Sequence, residues 1–305
     1  MPQRFYTTLS LDRKRGCYPR EFVARPKPSI AIVGPGALGS SLALSLRAAG
    51  YPLIAVSGRT PARARALARR VRARARSISE APFGADIVWV CVPDDALESV
   101  ANTLAKTGDW EGRVVLHSSG ARGSDELRAL RQRGASAGSL HPMMTFTRGG
   151  VRAMTGVPFA VEGDPAAARL ARQIARDLGG IVFPIRKQDK ALYHSWGSFA
   201  SPLVLTTLAM AERIAVAAGV PVARVRAVMA PIVRQTIANY LEHGAAAAFT
   251  GPLARGDLNT IRKHLHDLGR VPGARDLYVA LVRAAMDILP VKNREKLRRI
   301  LGSRH

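Results

Sequence analysis

From Ser29 onward the chain alternates two hydrophobic rhythms. Ser29–Val33, Leu53–Val56 and Ile87–Val92 (IVWVCV) are short apolar runs, continuous as in strands buried on both faces. Between them apolar residues recur at helical spacing, over Ala37–Ala49, stopped by Gly50, and over an arginine-rich segment opened by Pro61. Val114–Leu116, Ser139–Leu140, Phe159–Val161 and Ile181–Ile185 continue the strand series, with a helix over Pro165–Leu178. Such alternation builds an α/β domain with a doubly wound, mostly parallel sheet, here assigned to residues 28–187. After Gln188 the alternation stops, and helical spacing runs through 188–218, 222–243, 257–267, 274–288 and 292–301. An all-α C-terminal domain over 188–305 follows. Residues 1–27, polar and rich in Pro and Arg without periodicity, are expected to be a disordered basic extension.

Composition narrows the class. With 305 residues, 47% apolar and 6% aromatic, the chain suits a two-domain globular protein. Lys and Arg number 46 against 22 acids, giving a net charge of +24. That balance raises nucleic acid as a partner. The arginines are scattered, however, and the densest run, Arg63–Arg76, alternates with alanines on one helix without aromatic residues. The expectation is solvated helix faces and no nucleic-acid partner. Met1–Pro28 lacks the apolar core of a signal peptide. The apolar stretch Ala191–Ala211 carries His194, Ser195, Ser198, Ser201 and Pro202, so it is expected to be a buried core helix and not a membrane span. Cys17 and Cys91 read as free thiols of a reducing, cytoplasmic compartment.

Chemistry enters at Gly34-Pro35-Gly36-Ala37-Leu38-Gly39, a GxGxxG directly after a strand and opening a helix. In that context the first glycine makes the tight turn, the second admits a pyrophosphate and the third lets helix and strand pack closely. The segment is therefore the dinucleotide turn of a Rossmann domain, with helix amides facing the phosphates. At the end of the second strand an acid would select NAD. This chain has Ser57-Gly58-Arg59-Thr60 instead, and Ser57, Arg59 and Thr60 suit the 2′-phosphate of NADPH/NADP. Val92-Pro93-Asp94 leaves the carboxyl end of the third strand, placed to line the nicotinamide ribose, with Asp94 equally suited to capping a helix.

Three further segments gather polar groups at the same edge. His117-Ser118-Ser119-Gly120 follows one strand. His117 is counted with the cofactor site, and Ser118, Ser119 and Gly120 with a substrate carboxylate. His141-Pro142 follows the next. Lys190 and His194 stand at i and i+4 of a long apolar helix, with Ser198 and Ser201 continuing the stripe. An unpaired ammonium there is costly, which marks Lys190 as a functional candidate. Histidines without an HxxxH or HExxH pair, and two distant cysteines, give no metal site. Gly251–Asp257 reads first as a turn with Asp257 as N-cap, and second as a loop offering Arg255 to a carboxylate.

These residues carry a resemblance. The chain is similar to the bacterial family that joins a Rossmann-like domain to the domain of unknown function 2520, within the 6-phosphogluconate dehydrogenase and β-hydroxyacid dehydrogenase superfamily. The likeness rests on His117–Gly120, Ser139-Leu140-His141-Pro142, Gly156-Val157-Pro158-Phe159, Lys190 with His194, Asn239, and Thr250–Asp257 (TGPLARGD). It implies hydride transfer between a nicotinamide and a carbonyl or imine carbon. Lys190 would donate the proton, His194 and His141 would assist, and Ser118, Ser119, Gly120, Ser198, Asn239 and Arg255 would hold a small carboxylate-bearing substrate. It further implies a homodimer paired through the helical domain. Some relatives resemble alternative ketopantoate reductases of pantothenate biosynthesis, and an imine reductase similar to pyrroline-5-carboxylate reductase or a non-catalytic NADP-binding regulator are the rival readings.

Overall fold

Seven of the eight strands answer the apolar runs in the computed structural model, which describes residues 26–147, 150 and 152–302. Contacts divide the chain into two compact units, one running through Tyr193 and one starting at His194.

The first unit contains β1 (Ile30–Val33), α1 (Ala37–Ala48), β2 (Leu53–Ser57), α2 (Pro61–Val71), β3 (Arg74–Ala75), β4 (Ile87–Val90) and α3 (Leu97–Leu104). It continues with β5 (Val114–His117), α4 (Arg128–Arg131), β6 (Ser136–Pro142), β7 (Pro158–Gly163), α5 (Pro165–Asp177) and β8 (Ile181–Pro184). The sheet order is β3-β2-β1-β4-β5-β6-β7-β8. All pairs are parallel except β6 with β7. The doubly wound α/β class expected from the apolar rhythm is the class observed. Alternating side chains divide the core between the two faces. Ile30, Ile32, Trp89, Leu116 and Leu140 face α1, α2 and α5, while Val88, Val90, Val115 and Ala137 pack with Leu97, Leu127 and Leu130 on the other. The short β3 and α4 have no counterpart in the sequence reading, since neither is long enough to show a period, whereas α3, with Leu97, Ala101 and Leu104 buried at helical spacing, is the helix that Asp94 was suited to open.

Of the extension 1–27, only residues 26 and 27 fall within the described residues. Lys27 is not loose: its Nζ pairs with Asp177 at 2.9 Å, donates to the Ala49 carbonyl at 2.8 Å and lies over the Tyr51 ring.

Helix α6 (Lys190–Ala200) crosses from the first unit into the second, which holds α7 (Pro202–Ala217), α8 (Val225–Ala248), α9 (Pro252–Arg255), α10 (Leu258–Asp267), α11 (Ala274–Ile288) and α12 (Arg294–Leu301). Ile261, Leu265, Val282, Met286 and Leu297 form its core. Two expectations need correction here. The single helix 188–218 is two helices, because Ser201 leaves helical geometry and Pro202, which cannot donate to the preceding turn, begins α7. Nor is this stretch a buried core helix. Lys187–Ala217 is apolar and long enough to cross a membrane, yet none of its apolar window is buried. Phe199 and Leu205 are 71% and 63% exposed.

Candidate active site at the carboxyl edge of the sheet

The glycine turn explains itself atom by atom. Gly34 has φ +106°, and a Cβ there would lie 2.3 Å from the Cys91 carbonyl oxygen. A Cβ on Gly39 would lie 2.1 Å from the Gly34 carbonyl oxygen, so helix α1 sits directly on the turn. Gly36 is different: a Cβ there meets nothing within 4 Å. It is the N-cap of α1 and offers no side-chain cap, so the first amides of the helix open onto space rather than protein. Pro35 packs against Gly58, and Ala37 and Leu38 are half-buried. This is a cradle that a dinucleotide pyrophosphate fits and a side chain would fill. At the end of β2, Ser57 is buried within the strand, whereas Arg59 and Thr60 are exposed beside it, Thr60 at the N-cap of α2. Val92 is half-buried and Pro93 exposed; Asp94 opens the 3-10 turn Asp94–Ala96 without making a capping hydrogen bond.

The second cluster is built by register. His117 on β5 pairs with Ser139 on β6, and Ser139 pairs with Glu162 on β7, so the three side chains share one row across the sheet. Lys190, at the start of α6, covers that row. Its side chain is 1% exposed, and its Nζ donates to the Ser119 carbonyl at 2.9 Å and the Ser139 hydroxyl at 2.5 Å and stands 3.8 Å from Glu162 Oε1. Burial pulls the Lys190 ammonium down to about 8 from 10.5, against the opposing pull of Glu162 and Asp94. One helical turn further, Tyr193 bonds His141 Nδ1 at 2.7 Å, the two rings meeting edge to face.

The loop after β5 departs from expectation. His117 is not exposed to a cofactor: Nδ1 accepts the Ser119 N–H at 3.1 Å, which leaves the proton on Nε2, 3.1 Å from the Gly123 carbonyl. Ser118 Oγ accepts from Trp89 Nε1 at 2.8 Å, and Ser119 Oγ from the Arg122 N–H at 2.9 Å. Ser118, Ser119 and Gly120 are all buried, so this segment is a wall braced from within. A polar segment at a strand end resembles an open ligand loop in sequence, and only the fold shows which way its groups turn.

Burial holds His117 far below its usual range, at about 3, with the Lys190 charge adding to the effect. Between pH 6.5 and that value the unfolded chain binds a proton that the folded chain refuses, so stability falls as pH drops through the window. The expected slope from this residue is at most about 1.4 kcal/mol per pH unit. Melting temperatures from pH 7 to 4 should fall less steeply for His117→Asn than for wild type, and parallel curves would dismiss the assignment.

The remaining candidates lie in the helical unit or at its border. His194 is exposed, and Ser198 returns its hydroxyl to the His194 carbonyl at 3.2 Å. Asn239 accepts from Gln235 on α8 at 2.6 Å. Asp257 caps α10 through Thr260, as the turn reading requires, while Arg255 is exposed at the end of α9. Glu162, Ser124 and Tyr193 were not singled out by sequence. An acid ending the apolar run of β7 was the available signal for the first.

Two family models match the chain: a Rossmann-like domain over residues 19–142 and a domain of unknown function, DUF2520, over residues 157–285. Among curated proteins, none matches. Among solved structures, a Bacteroides fragilis protein assigned as an NADP oxidoreductase is 24% identical with a TM-score of 0.71, over 86% of this chain and 99% of its own. A protein from Thermotoga maritima is 23% identical with a TM-score of 0.68, over 88% and 100%. An imine reductase from Myxococcus stipitatus, crystallised with NADP+, is 18% identical with a TM-score of 0.63, over 85% and 94%. At such identities the likeness is one of fold.

Proposed function

The chain belongs to the family that joins a Rossmann-like domain to DUF2520, and from that premise we propose that it is an NADPH-dependent reductase of a small carbonyl or imine substrate. The observation that carries the reading is the glycine turn, where Gly34 and Gly39 have no room for a Cβ and Gly36 faces open space. Gly36 and the first amides of α1 would hold the pyrophosphate, and Arg59 with Thr60 the 2′-phosphate. NADPH bound there supplies the hydride. Lys190 supplies the proton: its ammonium, with the pKa drawn down to about 8, is a better acid than a surface lysine and remains largely charged at neutral pH. To reach the substrate, Nζ exchanges the Ser119 carbonyl or the Ser139 hydroxyl for the developing oxyanion or amine. His141, supported by Tyr193, is the second polar group at the same edge.

The preference for NADPH is the first test. NADPH should bind at least about tenfold more tightly than NADH, which requires only about 1.4 kcal/mol from a charge-assisted phosphate contact. Arg59→Ala should erase the difference and leave NADH unchanged by calorimetry; equal affinities in the wild type would refute the assignment.

For the substrate, a small 2-oxo acid with ketopantoate as first candidate follows from the resemblance. A cyclic imine is the second reading, favoured by one observation: Ser118 and Ser119 are buried, each 7% exposed, so their hydroxyls give an incoming carboxylate no open clasp in that loop. Steady-state NADPH oxidation across both substrate classes separates the two, and turnover with neither would leave an NADP-binding regulator. A cytoplasmic setting is in keeping with the free thiol of Cys91.

The exposed apolar side chains of α7 and α8 belong to the same proposal. Leu205, Ile232 and Leu241 are 63%, 69% and 75% exposed on helices that contact each other, and an exposed apolar patch marks an interaction surface. A second copy of the chain is the occupant proposed. Sedimentation should give a dimer at micromolar concentration, and Ile232→Asp with Leu241→Asp should yield monomers. A monomeric wild type would discard the idea.

A further inference from the structure

Glu162 stands where an acid has no ordinary reason to be. It ends an apolar run on β7, its side chain is 5% exposed, and Phe159, Ala160 and Val161 before it are core. Both of its oxygens are held. The Ser124 N–H donates to Oε1 at 2.7 Å and the Ser124 hydroxyl to Oε2 at 2.9 Å, at the first residue of the 3-10 turn Ser124–Leu127. Lys190 Nζ lies 3.8 Å from Oε1. The antiparallel register puts Glu162 opposite Ser139, so carboxylate and hydroxyl meet the ammonium from adjacent strands.

We infer that Glu162 is the positioning residue for Lys190, a fixed buried carboxylate that keeps the ammonium charged and seated against Ser119 and Ser139. Its catalytic consequence rests on the reading of Lys190 as proton donor; its physical content does not. A buried lysine loses its proton readily, and an opposite charge within about 4–6 Å reverses that by one unit or more. Other groups around the cluster do not replace it. Asp94, after β4, attracts Lys190 more weakly than Glu162 does. His117, on β5, is neutral through burial. Arg131 reaches Ser124 Oγ at 3.5 Å but pairs with Asp164 and Asp125, and Lys187 pairs with Asp125 at the surface. Among the described residues Glu162 is the one buried acid.

The test is the titration of Lys190 in the full chain, followed by NMR of labelled lysine side chains, with the signal identified by its loss in Lys190→Met. Glu162→Gln preserves the shape and can still accept the Ser124 N–H, but removes the charge. Its Lys190 midpoint should drop by about one unit from the wild-type value near 8. Glu162→Asp keeps the charge on a shorter arm, and its midpoint should stay closer to wild type. A purely spatial role predicts the opposite order, since Gln matches the shape and Asp does not. An unchanged midpoint in Glu162→Gln, or Gln behaving like wild type while Asp does not, overturns the inference. Should Gln fail to fold while Asp folds with a near-native midpoint, the charge is again what matters. The basic limb of kcat/KM should follow the midpoint to lower pH in Glu162→Gln. A midpoint that moves while the limb stays would uphold the role of Glu162 and reject Lys190 as the proton donor.

Discussion

Lys190→Met is expected to lower kcat by at least about a hundredfold, the size usually lost with a general acid. As hydride reaches a carbonyl carbon, negative charge grows on the oxygen, and stabilising it requires a donor already in place. Lys190 is such a donor, because α6 begins where the loop after β5 and the middle of β6 meet, and two protein acceptors fix its Nζ. Methionine matches the lysine side chain as far as Cε and therefore keeps most of its apolar packing, losing only the Nζ that meets Ser139. It leaves the Glu162 carboxylate without its cation, although both Ser124 donors still hold it. The companion Lys190→Met/Glu162→Gln removes that stranded charge and should regain melting temperature without regaining turnover. NADPH affinity should hold, since the glycine turn and Arg59 lie at the other end of the cofactor cradle. Either variant, folded and turning over at the wild-type rate, would transfer the proton-donor role to the His141–Tyr193 pair.

The second large effect separates binding from folding within a single turn. Gly36→Asp should abolish measurable NADPH binding while leaving the melting temperature unchanged or slightly raised. The position has an ordinary φ of −80°, an open environment and no existing side-chain cap. An aspartate there caps α1, which over glycine adds only roughly a few tenths of a kcal/mol, and its charge complements the helix dipole. The same carboxylate occupies the amides intended for the pyrophosphate and repels it. Gly34→Ala should do the reverse and lose the fold, because φ +106° and a contact of 2.3 Å with the Cys91 carbonyl cannot be relieved by rotating a side chain. NADPH titration of Gly36→Asp by fluorescence, beside thermal melts of both variants, checks the pair. Undiminished binding by Gly36→Asp would place the dinucleotide elsewhere.

What the sequence determined alone was whatever depends on local chemistry. Hydrophobic period set every strand but the two-residue β3, and the change to helices after them, since a strand buried on both faces is apolar throughout. The spacing of Gly34, Gly36 and Gly39 made the turn legible, although only Gly39 meets a local limit, the Gly34 carbonyl; Gly34 is closed in by Cys91 just after β4 and Gly36 is left open. Lys190 was legible as an isolated cation opening an apolar helix. Tertiary structure decided what those groups meet. Nothing local in β5, β6 and β7 states that His117, Ser139 and Glu162 share a row; only strand register does. Register also turned the His117–Gly120 loop inward, where its ring and hydroxyls bond the protein. The apolar stretch of α6 and α7 carried the same ambiguity, for hydropathy measures the wish to be covered and says nothing of whether the chain itself supplies the cover.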